Sequence, residues 1–169
     1  MALEFIPVQG EASLHHLAEI ANEVWHEFFV SILTPEQIDY MVEKFQSYPA
    51  MTDQVEHQGY EYFFMRLDGT DIGYTGIRSD GDEGKLFLSK LYLKKEYRGR
   101  GFASQAFAFL EGLCLARGLN AIWLTVNRYN DHTIAVYKKK GFEVMRTQVA
   151  DIGNGFVMDD YIMEKKLRA

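Results

Sequence analysis

The feature that most constrains the fold of this chain is a strand that runs into a turn of two glycines and two arginines and then into a helix. Leu86–Leu93 is rich in large apolar residues, contains no Gly or Pro, and is typical of a β-strand. Arg98–Gly101 follows a short basic hinge, and Phe102–Arg117 has a helical pattern that ends at Gly118. Glycines let successive backbone N–H groups converge, a helix N-terminus adds unpaired donors, and arginines supply charged, forked donors. The stretch therefore predicts an anion-binding site.

Two better-known nucleotide-binding patterns do not fit this turn. A dinucleotide fingerprint requires a third glycine where Ser104 stands, an uncharged turn, and an acidic residue about 20 positions later. A P-loop requires a Gly-Lys-Ser/Thr triplet, which the sequence lacks. A plain strand-to-helix connection with solvated arginines is the simplest alternative. Two glycines and two arginines within six residues exceed what such a connection requires.

The next strand and helix complete a pattern that resembles a known family. Ala121–Val126 is a short, apolar, β-branched strand, and the segment Asn130–Phe142 follows it. The Arg98-x-x-Gly101-x-Ala103 turn resembles the pyrophosphate-binding motif of the GNAT superfamily of N-acetyltransferases, and Asn130–Phe142 resembles the helix that follows in that family. Both motifs stand in the family's order and at its usual separation. The resemblance covers the chain from the strand before the turn to Phe142, and extends more loosely over the rest.

The remaining apolar patterns predict a single α/β domain. Helical spacing from about Glu11 to Phe29 and a helix start at Thr34–Gln37 predict two helices before the first hairpin. Asp68-Gly69 and Asn154-Gly155 are two-residue hairpin signals, and a proline in the first apolar run marks an edge strand. The predicted order is β-α-α-β-β-β-α-β-α-β-β, a mixed central β-sheet flanked by helices. This order matches the GNAT fold, so residues 1–169 are expected to form one N-acetyltransferase domain.

Composition and charge narrow the choice of partner. The chain has 169 residues, 47% of them hydrophobic, which suffices for a sizeable core, and a formal net charge of −6, which argues against nucleic acid. The sequence contains no apolar run long enough for a membrane span, no secretion signal, no metal-ligand spacing and a single cysteine, Cys114. A cytoplasmic protein without membrane or metal is the default expectation. Its basic residues cluster in the turn and at the end of the next helix, which favours a polyanionic small molecule such as coenzyme A.

The resemblance implies that acetyl-CoA is the cosubstrate. In the family, main-chain groups at the end of the central strand pair with the pantetheine arm, one N–H stabilises the oxyanion, and the turn holds the pyrophosphate. Asn130 is expected to cap the next helix and to bond the pantetheine arm, and Lys139 either reaches the 3′-phosphate or stabilises the helix C-terminus. The implied cofactor-binding residues are Leu91, Tyr92, Leu93, Arg98, Gly99, Arg100, Gly101, Phe102, Ala103, Ser104, Asn130 and Lys139.

The resemblance also implies one catalytic residue. Tyr137 stands in the family's Tyr-x-x-x-Gly-Phe setting and is expected to protonate the departing thiolate; the alternative is a core tyrosine with a satisfied hydroxyl. The group that accepts a proton from the incoming amine stays open, because Ser89 and Lys90 stand where many family members carry a glutamate. The other candidates, each with a solvated surface charge as its alternative, are Glu83, Glu27, His26 and Glu61.

The choice of acceptor falls, in this fold, to the first two helices and the last hairpin. Aromatic and acidic side chains in these segments suit a cationic small-molecule amine. A loose similarity to bacterial polyamine acetyltransferases makes a polyamine one candidate acceptor. The alternatives are a GNAT protein that acts on a peptide or protein amine or on an antibiotic, a non-catalytic acyl-CoA-binding regulatory module and, more distantly, a nucleotide-binding protein. Dimers are common in the family, so a homodimer is left open. The expected acceptor-lining residues are Trp25, Phe29, Tyr62 and Tyr74, with Asp159 and Asp160 nearby in sequence.

Overall fold

The structure is a computed structural model that describes residues 2–167. The α-helices within these residues are α1 (Gly10–Phe28), α2 (Pro35–Met41), α3 (Tyr48–His57), α4 (Phe102–Arg117) and α5 (Asp131–Lys139). The strands are β1 (Glu4–Pro7), β2 (Tyr60–Leu67), β3 (Thr70–Asp80), β4 (Lys85–Leu93), β5 (Ala121–Asn127), β6 (Glu143–Gly153) and β7 (Phe156–Lys166). A π-helical turn (Val42–Gln46) follows α2, and a 3₁₀ turn (Lys95–Tyr97) follows β4.

The strands form a mixed seven-stranded sheet in the order β1-β2-β3-β4-β5-β7-β6, flanked by helices. β4 and β5 run parallel, whereas β1 with β2, β2 with β3, and β7 with β5 and β6 are antiparallel. The predicted α/β fold class and order of elements are confirmed, with α3 as an additional full helix. β3 and β6 are eleven residues long each, since ladder pairing holds polar end residues in extended conformation.

The region between α1 and β2 contains more helix than the sequence indicated. Thr34 caps α2 by accepting the N–H of Gln37 at 3.1 Å, as predicted. Ser47 caps α3 in the same way by accepting the N–H of Ala50 at 3.3 Å. Pro49 therefore lies in the first turn of a ten-residue helix, where its missing N–H costs nothing, and does more than end the preceding one.

The Cα atoms group into two compact units. The first unit comprises the residues up to Arg78 together with Lys90–Leu110, and the second comprises Ser79–Ser89 together with the residues from Glu111 onward. No helix among the described residues is both long and apolar enough to span a membrane.

The first unit has two apolar clusters. In one, the buried stripe of α1, which includes Leu17 and Val24, packs with α3 and with Tyr62 and Tyr74 of β2 and β3. The other joins alternate residues of β2 to the first half of α4. Its buried members are Met65, Leu67, Ile72, Phe102 and Ala106. Because successive strand residues point to opposite faces, β2 contributes to both clusters.

The second unit is built on the parallel pair β4–β5 and the antiparallel strands β6 and β7. Leu86 lies opposite Ile122, and Leu88 lies opposite Leu124, and all four side chains are buried. Cys114 is buried as well, and burial raises the pKa of its thiol to about 11, in keeping with a packing role. A groove of about 380 Å³ lies near the start of β5, lined by Glu83, Lys85, Trp123, Met145, Arg146, Ile162 and Glu164.

Candidate active site

The turn between β4 and α4 has the backbone geometry that converging amides require. Gly99 and Gly101 have φ angles of +74° and +83°, a region that glycine reaches without steric cost. Left-handed residues between ordinary ones bring consecutive N–H groups to one side, and the first turn of α4 adds N–H groups that have no partner within the helix. The segment Arg98–Ser104 therefore has the shape of an anion-binding nest, and its contacts with a phosphate stay a prediction.

Arg98 is the most constrained side chain of this turn. Its Nε donates to the carbonyl oxygen of Leu93 at 3.0 Å, and its guanidinium carbon lies 4.9 Å from the centre of the Phe28 ring. Its Nη2 is buried without a hydrogen bond among the described residues and lies 4.0 Å from the Glu27 carboxylate. Burial lowers the pKa of the guanidinium, which stays charged at neutral pH. A buried, charged donor without an acceptor fits a phosphate oxygen.

The other cations of the turn are held by side chains of the same unit. The Arg100 guanidinium lies 5.6 Å from the Tyr97 ring centre and 5.4 Å from that of Phe102, so it is placed by aromatic contacts. Lys94 lies 3.5 Å from the Glu23 carboxylate of α1. The basic hinge is thus tied to α1 by ion pairs, while Arg100 stays exposed.

The end of β4 points its side chains alternately into two apolar clusters. Leu91 and Leu93 pack against the cluster that includes Phe102, whereas Tyr92 packs against the α1 cluster. The Tyr92 ring is surrounded by aromatic residues, with Trp25 at 5.7 Å between ring centres and Phe28 at 5.6 Å. Packing fixes these side chains, and contact of a ligand with the main chain of residues 91–93 stays a prediction.

The side chains expected to line an acceptor site are core residues of the first unit. Trp25, Phe29, Tyr62 and Tyr74 are at most 7% exposed. Tyr74 lies 5.7 Å from Tyr92 between ring centres, and its hydroxyl donates to the buried Gln46 at 2.8 Å. These rings support the residues around them, and contact with an acceptor stays a prediction.

Lys90 is a buried cation that sequence reasoning noticed only as a departure from the family's glutamate. It is 6% exposed, and its Nζ donates to the Gln54 side-chain oxygen at 2.9 Å and to the hydroxyl of Tyr62. Gln54 in turn donates to the carbonyl of Phe45 at 3.0 Å, which fixes its orientation. Burial lowers the pKa of Lys90 to about 7. No one-dimensional pattern reveals this network, because its members come from α3, β2 and β4.

The second unit carries the predicted residues of α5. Asn130 caps this helix, since its side chain accepts the N–H of Thr133 at 3.4 Å, and it is 8% exposed. Tyr137 lies 5.7 Å from Phe142 between ring centres, and burial raises the pKa of its phenol to about 12. Lys139 is exposed in the last turn. The capping role of Asn130 is observed, and the binding and catalytic roles stay predictions.

Two of the open proton acceptors are engaged elsewhere. His26 contacts Asp39 through Nε2 at 2.6 Å and the Asn22 carbonyl through Nδ1 at 2.7 Å, and these hydrogen bonds raise the pKa of the imidazole. A raised pKa keeps the ring protonated to higher pH, so less of the neutral ring is present to accept a proton. Glu27 faces Lys95 and Arg98 in the turn. Glu83 lines the groove near the start of β5, whereas Asn130 follows the end of that strand.

The site combines a parallel strand pair with a glycine turn, two arginines and a helix N-terminus. Proteins with this arrangement form a class that binds polyanionic carriers. Comparison with known proteins gives the family. The model of the acetyltransferase (GNAT) family matches residues 17–142. The chain therefore belongs to the GNAT family, and it is an N-acetyltransferase, which confirms the predicted family and enzyme class.

Individual relatives are similar over nearly the whole chain. An uncharacterised N-acetyltransferase of Lactobacillus delbrueckii subsp. lactis is 23% identical over 164 residues, 94% of each chain. The PaiA N-acetyltransferase of Thermoplasma acidophilum, solved in complex with coenzyme A, is 25% identical with a TM-score of 0.78 and covers 98% of this chain and 99% of its own. The GCN5-related N-acetyltransferase from Rhodopseudomonas palustris is 18% identical with a TM-score of 0.81, over 99% and 97% of the two chains, and shares the fold.

Proposed function

We propose that this enzyme transfers the acetyl group of acetyl-CoA to a primary amine of a small molecule, by direct attack of the amine on the thioester. The observation that carries the proposal is the buried Nη2 of Arg98, a charged donor without a hydrogen bond among residues 2–167, beside a turn of left-handed glycines. A diphosphate supplies the oxygens that such a donor and the turn amides lack. The complex of PaiA with coenzyme A supports acetyl-CoA as the acetyl donor.

The end of β4 and the turn that follows it would hold acetyl-CoA. The amides from Gly99 to Ser104 and the two arginines of the turn would bind the pyrophosphate. The main chain of Leu91, Tyr92 and Leu93 would pair with the pantetheine arm, and one of its N–H groups would polarise the thioester carbonyl. Because Arg98 also holds the Leu93 carbonyl at 3.0 Å, phosphate binding and the position of the strand end are linked through one side chain. A preorganised oxyanion donor of this kind contributes roughly 3–4 kcal/mol to other acyl transfers.

Residues of α5 would assist the departure of the thiolate of coenzyme A. Tyr137 would donate its phenolic proton to the thiolate of coenzyme A as the carbon–sulfur bond breaks. With a pKa of about 12, the phenol stays protonated throughout the physiological range, so its O–H can donate a hydrogen bond to the developing thiolate. Asn130 would bond the pantetheine arm through its amide nitrogen while its oxygen caps α5. Lys139 is exposed and free to approach the 3′-phosphate.

Titration calorimetry with acetyl-CoA tests the proposal. Wild-type protein is expected to bind, and Arg98→Ala is expected to lose at least about 10-fold in affinity, as removal of a charge-assisted hydrogen bond predicts. Arg117→Ala is the matched control, since Arg117 is the last residue of α4, far along the helix from the turn, and donates to Ser79 at 2.8 Å. A wild-type chain that ignores acetyl-CoA, or Arg98→Ala with unchanged affinity, overturns the donor assignment. An amine panel of spermidine, amino sugars, aminoglycosides and peptide N-termini then identifies the acceptor.

A further inference from the structure

Asp160 is a buried carboxylate in the second unit. It lies on β7 opposite Asn127 of β5 and Gln148 of β6, so it stands between two neighbouring strands, and it is 7% exposed. Buried carboxylates are rare unless they are paired, because removing a charge from water is costly. A carboxylate in this position therefore requires an explanation.

The nearby cation does not pair with Asp160. Arg128, which directly follows β5, lies 2.9 Å from the neighbouring Asp159 and stacks over the Tyr161 ring at 5.4 Å. Among residues 2–167, the Asp160 side chain has no hydrogen bond to a protein donor and no ion pair. Burial and the charge of Asp159 raise the pKa of Asp160 to about 6. The group is thus an acceptor without a donor, in a protein whose substrate carries a protonated nitrogen.

Other charged groups lie along β6 and β7. Arg146 on β6 lies opposite Ile162, two residues from Asp160 along the strand. Glu164 on β7 pairs with Lys85 at 2.8 Å. The remaining neighbours of Asp160 across the strands, Asn127 and Gln148, carry amides that do not titrate near neutral pH.

Asp160 also lies at the functional end of β5. Asn127 is the last residue of β5, and its carbonyl accepts the N–H of Asn130 at 3.0 Å. Asn130 begins α5, the helix that carries Tyr137. Asp160 therefore pairs with Asn127, and a tight turn joins Asn127 to Asn130, the residue expected to bond the pantetheine arm.

We propose that Asp160 binds the ammonium group of the acceptor and takes up one of its protons, which makes it the catalytic base of the transfer. The inference rests on the proposed function and adds the residue that the sequence left open. It also defines the acceptor as an amine that arrives protonated, since an ammonium group supplies the charge and the donors that this carboxylate lacks.

The step balances as follows. One proton passes from the ammonium nitrogen to a carboxylate oxygen of Asp160, and the freed lone pair forms the bond from nitrogen to the thioester carbonyl carbon. The carbon–sulfur bond then breaks, and its electron pair leaves with the sulfur. The second nitrogen proton ends on the thiolate by way of Tyr137, and Asp160 returns its proton to solvent. Acetyl-CoA and an ammonium ion thus give an acetamide, coenzyme A and one proton.

Asp160→Asn removes the charge at constant size, and Asp151→Asn, at an exposed carboxylate of β6, is its matched control. With the best amine of the panel, kcat/KM of the wild type is expected to rise with pH through an inflection near 6, because the base must be ionised. Asp160→Asn is expected to lose about 100-fold or more in kcat/KM and to lose this inflection, with acetyl-CoA affinity within about twofold of wild type. Asp151→Asn is expected to keep both the rate, within about threefold, and the inflection.

Three outcomes decide the inference. Asp160→Asn with wild-type rate and pH profile overturns it and leaves the proposed function standing. A wild type that binds acetyl-CoA but acetylates no amine overturns it together with the proposed acceptor class. If Asp160→Asn does not unfold cooperatively, Asp160→Glu decides: retention of the inflection with an altered KM for the amine supports the role, and its absence overturns it.

Discussion

Gly73 of β3 and Tyr92 of β4 approach each other so closely that a Cβ atom at position 73 would overlap the Tyr92 carbonyl oxygen. The same atom would lie 3.1 Å from the Cα atom of Leu93. Any larger residue must therefore push the end of β4 away from β3. The main chain of this strand end is the proposed site of the pantetheine arm. Its position therefore depends on residue 73 having no side chain.

Gly73→Ala is expected to destabilise the protein by about 1–3 kcal/mol, as overpacking does, and to weaken acetyl-CoA binding. Gly112→Ala is the control: it lies within α4, its added Cβ meets no atom within 4 Å, and alanine is expected to stabilise the helix by about 0.5–1 kcal/mol. Urea unfolding and calorimetry with acetyl-CoA measure both effects. Equal stability of the two variants would contradict the close approach of β3 and β4.

Lys90 gives the protein a pH-dependent stability. Its pKa falls to about 7 on folding from an ordinary value of 10.5, so the folded state binds this proton less readily than the unfolded state. The resulting penalty is complete below pH 7, decreases as pH rises from 7 to about 10.5, and then vanishes. At about 1.4 kcal/mol per pKa unit, the effect amounts to a few kcal/mol.

Lys90→Met is therefore expected to raise the free energy of unfolding at pH 6 more than at pH 9, where the wild type has already recovered part of the loss. Urea unfolding at the two pH values measures the difference. Lys44→Met, at an exposed lysine of the same unit, is expected to change neither value by more than about 0.5 kcal/mol. A Lys90→Met variant with the pH dependence of the wild type would show that this lysine stays charged in the folded protein.

Substitutions at Asn130 separate capping from ligand binding. Asn130→Ala is expected to lose about 1 kcal/mol of stability, because the N–H of Thr133 loses its acceptor. Asn130→Ser restores an acceptor oxygen and is expected to regain that stability, but it lacks the amide nitrogen proposed to bond pantetheine. Acetyl-CoA titration of the serine variant is expected to show weakened binding. Wild-type affinity in that variant would leave Asn130 as a helix cap alone.

Tyr137→Phe removes the proposed proton donor and keeps the ring that packs 5.7 Å from Phe142. We expect kcat to fall by about 100-fold, at the lower end of general acid catalysis, with acetyl-CoA affinity unchanged. Tyr129→Phe, at a residue 66% exposed, is the control and should leave kcat within about twofold of wild type. Steady-state kinetics with a responsive amine measures both variants. Unchanged kcat in Tyr137→Phe would assign this tyrosine to packing.

Much of the fold was predictable because local signals agreed with it. Asp68-Gly69 and Asn154-Gly155 form their hairpins with positive φ angles at all four residues, as two-residue turns of this kind require. The length of α3 was not predictable, because Pro49 can end one helix or lie in the first turn of the next, and only the hydrogen bond to Ser47 decides between them. The extent of one domain over residues 1–169 stays a prediction.

The sequence by itself determined the fold class, the family and the composition of the turn that is expected to bind an anion, because strand, glycine, arginine and helix signals lie within one short segment. Tertiary structure alone decided the state of Lys90 and Asp160. Each is an ordinary charged residue in the sequence, and each has its pKa shifted because strands and helices distant in the chain exclude water from it. Desolvation depends on which atoms surround a charge, and no spacing along the chain encodes that.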